Sequence, residues 1–240
     1  MQLILCKDYR ELSERAAEII VSLVREKPDC VLGLATGSTP IGTYELVCEA
    51  HRNGGLDFSR VTSFNLDEYY PLDPSDPQSY HYFMQEHLFS HINIPKENIH
   101  IPDGTTPSPE KLGEEYDNAI RAAGGIDLQL LGIGRNGHIG FNEPAESLIA
   151  GTHLTPLTQD TIDANARFFA SASDVPTQAI SMGMASIAGA RHILLLISGK
   201  DKSAALHQLL DDSITTACPA TLLKLHPNVT IIYDEAALGN

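Results

Sequence analysis

Basic residues are scarce in this chain of 240 residues: 16 Lys and Arg stand against 31 Asp and Glu, a formal net charge of -15. A surface of that sign repels phosphate backbones and anionic bilayers, so nucleic acid and membrane surfaces are excluded as partners. An anionic small molecule is not excluded, because one or two local cations suffice for it. Cysteine is sparse too. Cys6, Cys30, Cys48 and Cys218 form no C-x-x-C pair, which disfavours structural zinc and points to reduced thiols in a cytoplasmic protein. No apolar run is long enough to span a membrane. The first eight residues lack a basic flank and a small-residue cleavage site, so they are expected to form a first strand, not a signal peptide. Repeats, low-complexity tracts and dividing linkers are also missing, and one domain over residues 1–240 is expected. There is no G-x-S-x-G elbow and no Cys–His nucleophile pattern.

What is present is an ordinary apolar fraction, 42%, distributed in alternating blocks. Short apolar runs at 3–6, 31–35, 61–66, 99–101, 128–132, 193–198 and 229–233 predict strands. Segments 9–25, 41–51, 79–91, 110–123, 178–190, 202–210 and 220–225 predict helices. In the first helix Leu12, Ala16, Ile19, Ile20, Leu23 and Val24 recur at helical spacing. Alternating strands and helices imply an α/β fold, with a largely parallel sheet and helices on both faces. Several strands are apolar on both sides, as buried parallel strands are. The stretch 140–163 is polar and irregular, a candidate cover over a site.

Three segments fall just past predicted strand C-termini, where open α/β sheets bind ligands. The most informative runs from Gly132 to Pro144. Four glycines in nine residues (132, 134, 137 and 140) let backbone approach a ligand, and His138 and Glu143 sit beside Asn136 and Asn142. Its first three glycines also spell G-x-G-x-x-G, the dinucleotide fingerprint. No amphipathic helix follows, and no acidic strand end lies about 20 residues on, so that reading is set aside. A second segment, Ala35-Thr36-Gly37-Ser38-Thr39-Pro40, leads from strand to helix and reads as an anion site built on free N–H groups. It lacks the Gly-Lys of a nucleoside-triphosphate loop. The third, Ser63 to Tyr70, ends a strand in adjacent carboxylates, Asp67 and Glu68. Like charges this close tend to raise one pKa, which suits a base near neutral pH. Cations for the anion would come from Lys200, Lys202 or Arg167. His87 and His91, four apart on a helix, lack a third ligand and read as surface residues. Met182 and Met184 read as core.

At these residues the chain resembles the glucosamine-6-phosphate deaminases. The signatures are Leu32-Gly-Leu-Ala-Thr-Gly-Ser-Thr-Pro40, Phe64-Asn-Leu-Asp-Glu-Tyr69 and Gly137-His-Ile-Gly-Phe-Asn-Glu-Pro144, and the likeness spans nearly the whole chain. It implies a modified Rossmann-like, doubly wound sheet, and conversion of glucosamine 6-phosphate and water to fructose 6-phosphate and ammonium. By that resemblance Asp67 moves the proton from C2 toward C1, and His138 assists ring opening. Glu143 orients His138, and Thr36, Gly37, Ser38, Thr39, Arg167 and Lys202 hold the phosphate. No metal or organic cofactor is implied. Two departures are visible. Where some members carry Asp, this chain has Asn136, which can orient a neighbour but cannot accept a proton. Where allosteric members carry Ser, Arg and Lys, it has Glu146, His153 and Thr155, and it lacks their C-terminal extension. Simple kinetics and a monomer or small homo-oligomer are therefore expected. A 6-phosphogluconolactonase-like hydrolase or a non-catalytic sugar-phosphate-sensing domain are the alternatives.

Overall fold

The computed structural model describes residues 1–165, 169, 171 and 174–239. In chain order the first half holds β1 (Gln2–Cys6), α1 (Tyr9–Glu26), β2 (Val31–Leu34), α2 (Ile41–Gly54), β3 (Thr62–Asn65), β4 (Asp67–Tyr70), α3 (Tyr80–His87), β5 (Ile99–His100) and α4 (Pro109–Ala122). Then come β6 (Leu128–Leu131), β7 (His153–Pro156), α5 (Gln159–Asn165), β8 (Gln178–Ser181), α6 (Met184–Ala188), β9 (His192–Ile197), α7 (Ser203–Leu210) and β10 (Val229–Asp234). Seven strands form one parallel sheet in the order β1-β10-β9-β6-β2-β3-β5. These are the seven strands expected from the apolar runs.

Packing explains why those runs were legible. Along β9, Ile193, Leu195 and Ile197 enter one hydrophobic core, while Leu194 and Leu196 enter the core on the opposite face. A strand buried on both sides must be apolar at every position. Each such side chain contributes roughly 1.5–3 kcal/mol relative to exposure. Helix α1 covers the second core with Leu12, Ala16, Ile20 and Val24. It starts at Asp8, whose carboxylate accepts from the Glu11 N–H and so satisfies one of the open donors of the first turn.

A smaller sheet departs from the expected pattern. Strands β4, β8 and β7 pair antiparallel, with β8 in the middle. Segment 178–190, expected as one helix, is β8 followed by the short α6. Gln178–Ser181 bonds along both edges, to strands more than 20 residues away in sequence, and that pairing overrides a local helical rhythm. Gly183 then begins α6. The expected helix 79–91 ends at His87 and continues as a 3₁₀ turn, Phe89–His91; Pro219–Leu225 is likewise 3₁₀. The polar stretch 140–163 is not structureless, since it contains β7 and most of α5. Met182 and Met184 are buried, as core residues should be.

Candidate active site

The parallel strands end on a cavity of about 660 Å³, bordered by the turns after β2, β3, β6 and β9 and by α5. It gathers the three segments that the sequence singles out.

The turn after β2 forms one wall of it. Thr36, Gly37, Ser38 and Thr39 all face the cavity. Gly37 has φ +98°, a left-handed conformation that favours glycine. The chain then enters α2, whose N-terminus has no side-chain cap and no acid in its first turn. The positive end of its dipole is thus left for a ligand. Tyr9 of α1 fixes this turn. Its hydroxyl lies 3.1 Å from the Thr39 carbonyl oxygen and accepts from the Gly42 N–H at 2.8 Å. Nothing in the local pattern around Tyr9 announces that role.

Lys202 also faces the cavity and is mostly buried; Lys200 does not line it. Arg135, not singled out beforehand, does line it, and donates from Nε to Asp201 at 3.0 Å. The same Asp201 oxygen lies 3.9 Å from the Lys202 ammonium. Arg167 lies outside the described residues.

Across the cavity stands Asp67. It opens β4 and is 6% exposed, and no Lys, Arg or His bonds to it among the described residues. Burial pushes its carboxyl up to about 8, with the Glu68 charge adding to the rise. The expected cause, two adjacent carboxylates, is therefore secondary to desolvation. Strand alternation sends the two side chains to opposite faces. Glu68 accepts from the Tyr69, Tyr80 and His81 N–H groups, each at 2.9 Å, and so ties β4 to the start of α3. That tie brings Tyr80 to the cavity, where burial raises its phenol well above the ordinary value.

The Gly132–Pro144 turn supplies the third wall. Gly134 is required here: a Cβ would lie 2.3–2.4 Å from the His138 ring atoms. Gly137 has φ +83°, and its Cβ would strike the Cys218 sulfur at 2.2 Å. Asn142 donates to the Ile139 and Met182 carbonyls, and Phe141 N–H to Ser181 Oγ, which pins the turn to β8 and the residue after it. His138 Nδ1 sits 3.2 Å from Glu143 Oε1, within ion-pair reach but off the line of a hydrogen bond. Asn136 donates from Nδ2 to Glu143 Oε2 at 2.7 Å and accepts from the His138 N–H at 3.2 Å. It orients both partners. Thr161 of α5 donates to Glu143 Oε1 at 2.5 Å. Burial would raise the Glu143 carboxyl, but the facing His138 imidazole and the bonds from Thr161 and Asn136 outweigh it and hold the group at about 2.

Comparison with known proteins agrees with this geometry. The family described as glucosamine-6-phosphate isomerases/6-phosphogluconolactonase matches residues 8–232. A protein of Thermoanaerobacter pseudethanolicus named glucosamine-6-phosphate deaminase is 54% identical over 99% of this chain and 94% of its own length. One of the same name from Halothermothrix orenii is 54% identical over 99% and 98%. A solved structure of a monomeric glucosamine-6-phosphate deaminase superposes with a TM-score of 0.97 at 44% identity, covering 99% of both chains. A 6-phosphogluconolactonase from Thermotoga maritima is more distant, with a TM-score of 0.76 at 26% identity over 97% and 98%.

Proposed function

The chain belongs to the glucosamine-6-phosphate isomerase/6-phosphogluconolactonase family, and from that premise we propose that it converts glucosamine 6-phosphate and water to fructose 6-phosphate and ammonium in amino-sugar breakdown. The observation that carries this reading is Asp67, a buried carboxyl with no cation bonded to it among the described residues, facing the Thr36–Thr39 turn across one cavity. A 2-amino sugar phosphate fits that arrangement at both ends.

The phosphate sits on the Thr36–Thr39 turn and the start of α2, with Lys202 and Arg167 as counter-charges. His138 exchanges a proton at the ring oxygen, which opens the pyranose. Glu143 sets the imidazole's orientation, and Asn136 holds Glu143. Asp67 then takes the C2 proton and returns it to C1. The enolamine formed between these steps becomes a C2 iminium, which water attacks to release ammonium. At about 8, Asp67 holds its proton in the empty cavity at neutral pH. The ammonium on C2 of the substrate supplies the opposite charge that ionises it, so the base is generated by the substrate it acts on.

The relatives at 54% identity support a deaminase over a 6-phosphogluconolactonase-like hydrolase, and a bound phosphate without turnover would leave Asp67 idle. The same reading has the protein acting in the cytoplasm as a monomer, with hyperbolic kinetics. Glu146, which is exposed, would repel a regulatory phosphate, and His153 turns Nδ1 to the Gly151 carbonyl at 2.9 Å. The test is ammonium release and fructose 6-phosphate formation from glucosamine 6-phosphate, beside hydrolysis of 6-phosphogluconolactone. Lactone hydrolysis without ammonium release would refute the proposal. Saturation curves with N-acetylglucosamine 6-phosphate are expected to remain hyperbolic.

A further inference from the structure

Glu143 Oε1 has two claimants. Thr161 Oγ1 donates to it at 2.5 Å, and His138 Nδ1 lies 3.2 Å away in poor alignment. The other oxygen, Oε2, is occupied by Asn136. Asn136 and His138 belong to the same turn as Glu143, but Thr161 does not: it arrives from α5, 18 residues further on. Its hydroxyl is directed. Thr158, just before α5, donates to Thr161 Oγ1 at 3.1 Å while accepting from the Thr161 N–H at 3.3 Å. With its oxygen accepting from Thr158, Thr161 has its proton left for Glu143. The side chain is 6% exposed, so water does not compete well for that bond.

We propose that Thr161 is a positioning residue for the Glu143–His138 pair. Its hydroxyl fixes where the Oε1 charge sits and keeps Glu143 an acceptor facing the imidazole. Without it the carboxylate can swing about its terminal torsion, which is broad for glutamate, and either capture Nδ1 directly or take up a proton. The inference rests on the roles of His138 and Glu143 given under the proposed function. It adds that α5, an element outside the glycine-rich turn, completes the pair.

The surroundings of Glu143 fix the sign of the expected pH effect. His138, from its own turn, favours the ionised carboxylate, as do the Asn136 and Thr161 bonds; burial opposes them. Asp163 from α5 faces the same cavity, and its negative charge favours protonation; Asp67 from β4 also faces it but carries no charge until the pH passes about 8. Removing the Thr161 donor therefore raises the Glu143 pKa.

The test compares Thr161→Val with Thr161→Ser in the full chain. Valine keeps the branched shape and removes the hydroxyl. We expect kcat on glucosamine 6-phosphate to fall about 10-fold for loss of one hydrogen bond to a charged group, with KM changed less than about twofold. The acid limb of the kcat profile should move to higher pH, and serine should restore both. Thr161→Ala carries the same comparison if valine disturbs α5. Carbon-13 titration of the Glu143 carboxyl, assigned through Glu143→Gln, is read in parallel without substrate and should move up by roughly one pH unit. An unmoved carboxyl titration, or valine and serine losing rate equally, overturns the inference. If the wild-type protein releases no ammonium, the proposed function fails by itself, while the carboxyl titration still decides the role of Thr161.

Discussion

Two buried aspartates at opposite ends of the parallel sheet meet opposite fates. Asp127, just before β6, accepts from Lys27 Nζ at 2.8 and 2.9 Å, from Arg191 at 2.9 Å and from the Val31 N–H at 2.8 Å. Burial alone would raise its carboxyl, but the Lys27 bond and the other donors bring it below the ordinary value. Asp67, at the C-terminal end, has no such donors among the described residues and is raised to about 8. The same residue type, 7% exposed as Asp127 and 6% as Asp67, is a clamp at one end and, set deeper among its neighbours, a reserve of proton affinity at the other. Among the described residues the cations gather at Asp127 and not at Asp67, and a perturbed group of the latter kind is where the proposed chemistry is expected.

The comparison is broken most severely by Asp67→Asn. Loss of a general base costs ~10²–10⁴-fold in rate, so ammonium release should fall by that range and proton exchange at C1 and C2 should stop. The fold should not suffer. With a folded pKa of about 8, against an ordinary unfolded value of about 3.9, Asp67 stabilises the native state in its protonated form. That contribution is complete below pH ~4 and is lost as pH rises through about 8. Melting temperatures across this window should therefore decline less in the asparagine variant than in the wild type.

Lys202→Ala tests the cation at the other wall. It should raise KM for the phosphorylated sugar by roughly 10–100-fold, from charge-assisted bonds worth about 1.5–3 kcal/mol. An equal effect on unphosphorylated glucosamine would remove Lys202 from the phosphate site.

Asp127→Asn should do the converse of Asp67→Asn and change kcat little. It should destabilise by ~1–3 kcal/mol, toward the lower end because Lys27 and Arg191 are 44% and 58% exposed. Here the folded pKa is depressed, so the stabilisation exists above the ordinary carboxyl value and vanishes as pH falls through the lowered one. Acid unfolding of the variant should show a weaker pH dependence below about pH 4. A large loss of kcat with unchanged melting would dissolve the division between the two ends.

Much of this molecule was legible in its sequence, for a physical reason. Strands buried on both faces must be apolar throughout, so β9 and β10 declare themselves. Asp67 stands in a compact acidic motif at a strand end, and His138 and Glu143 in one whose glycines mark close approach. The second sheet did not declare itself. Asp67–Tyr70, His153–Pro156 and Gln178–Ser181 are mixed in polarity, and only their mutual pairing makes them strands. Tyr9, Arg135, Thr161 and Asp127 were silent for a related reason. Each acts on a partner distant in the chain, and a local pattern carries no record of such a partner. Glu68 was read beside Asp67 as part of one acidic pair, yet it serves as the anchor of α3.

Gly134 has a consequence for heredity. The imidazole of His138 occupies the space that a side chain at 134 would fill. Two codons four positions apart therefore spell a single feature, and neither can drift alone. A mutation that gives residue 134 any side chain evicts the ring without touching the histidine codon. A search for loss of function that watches only the chemically active letters would overlook it.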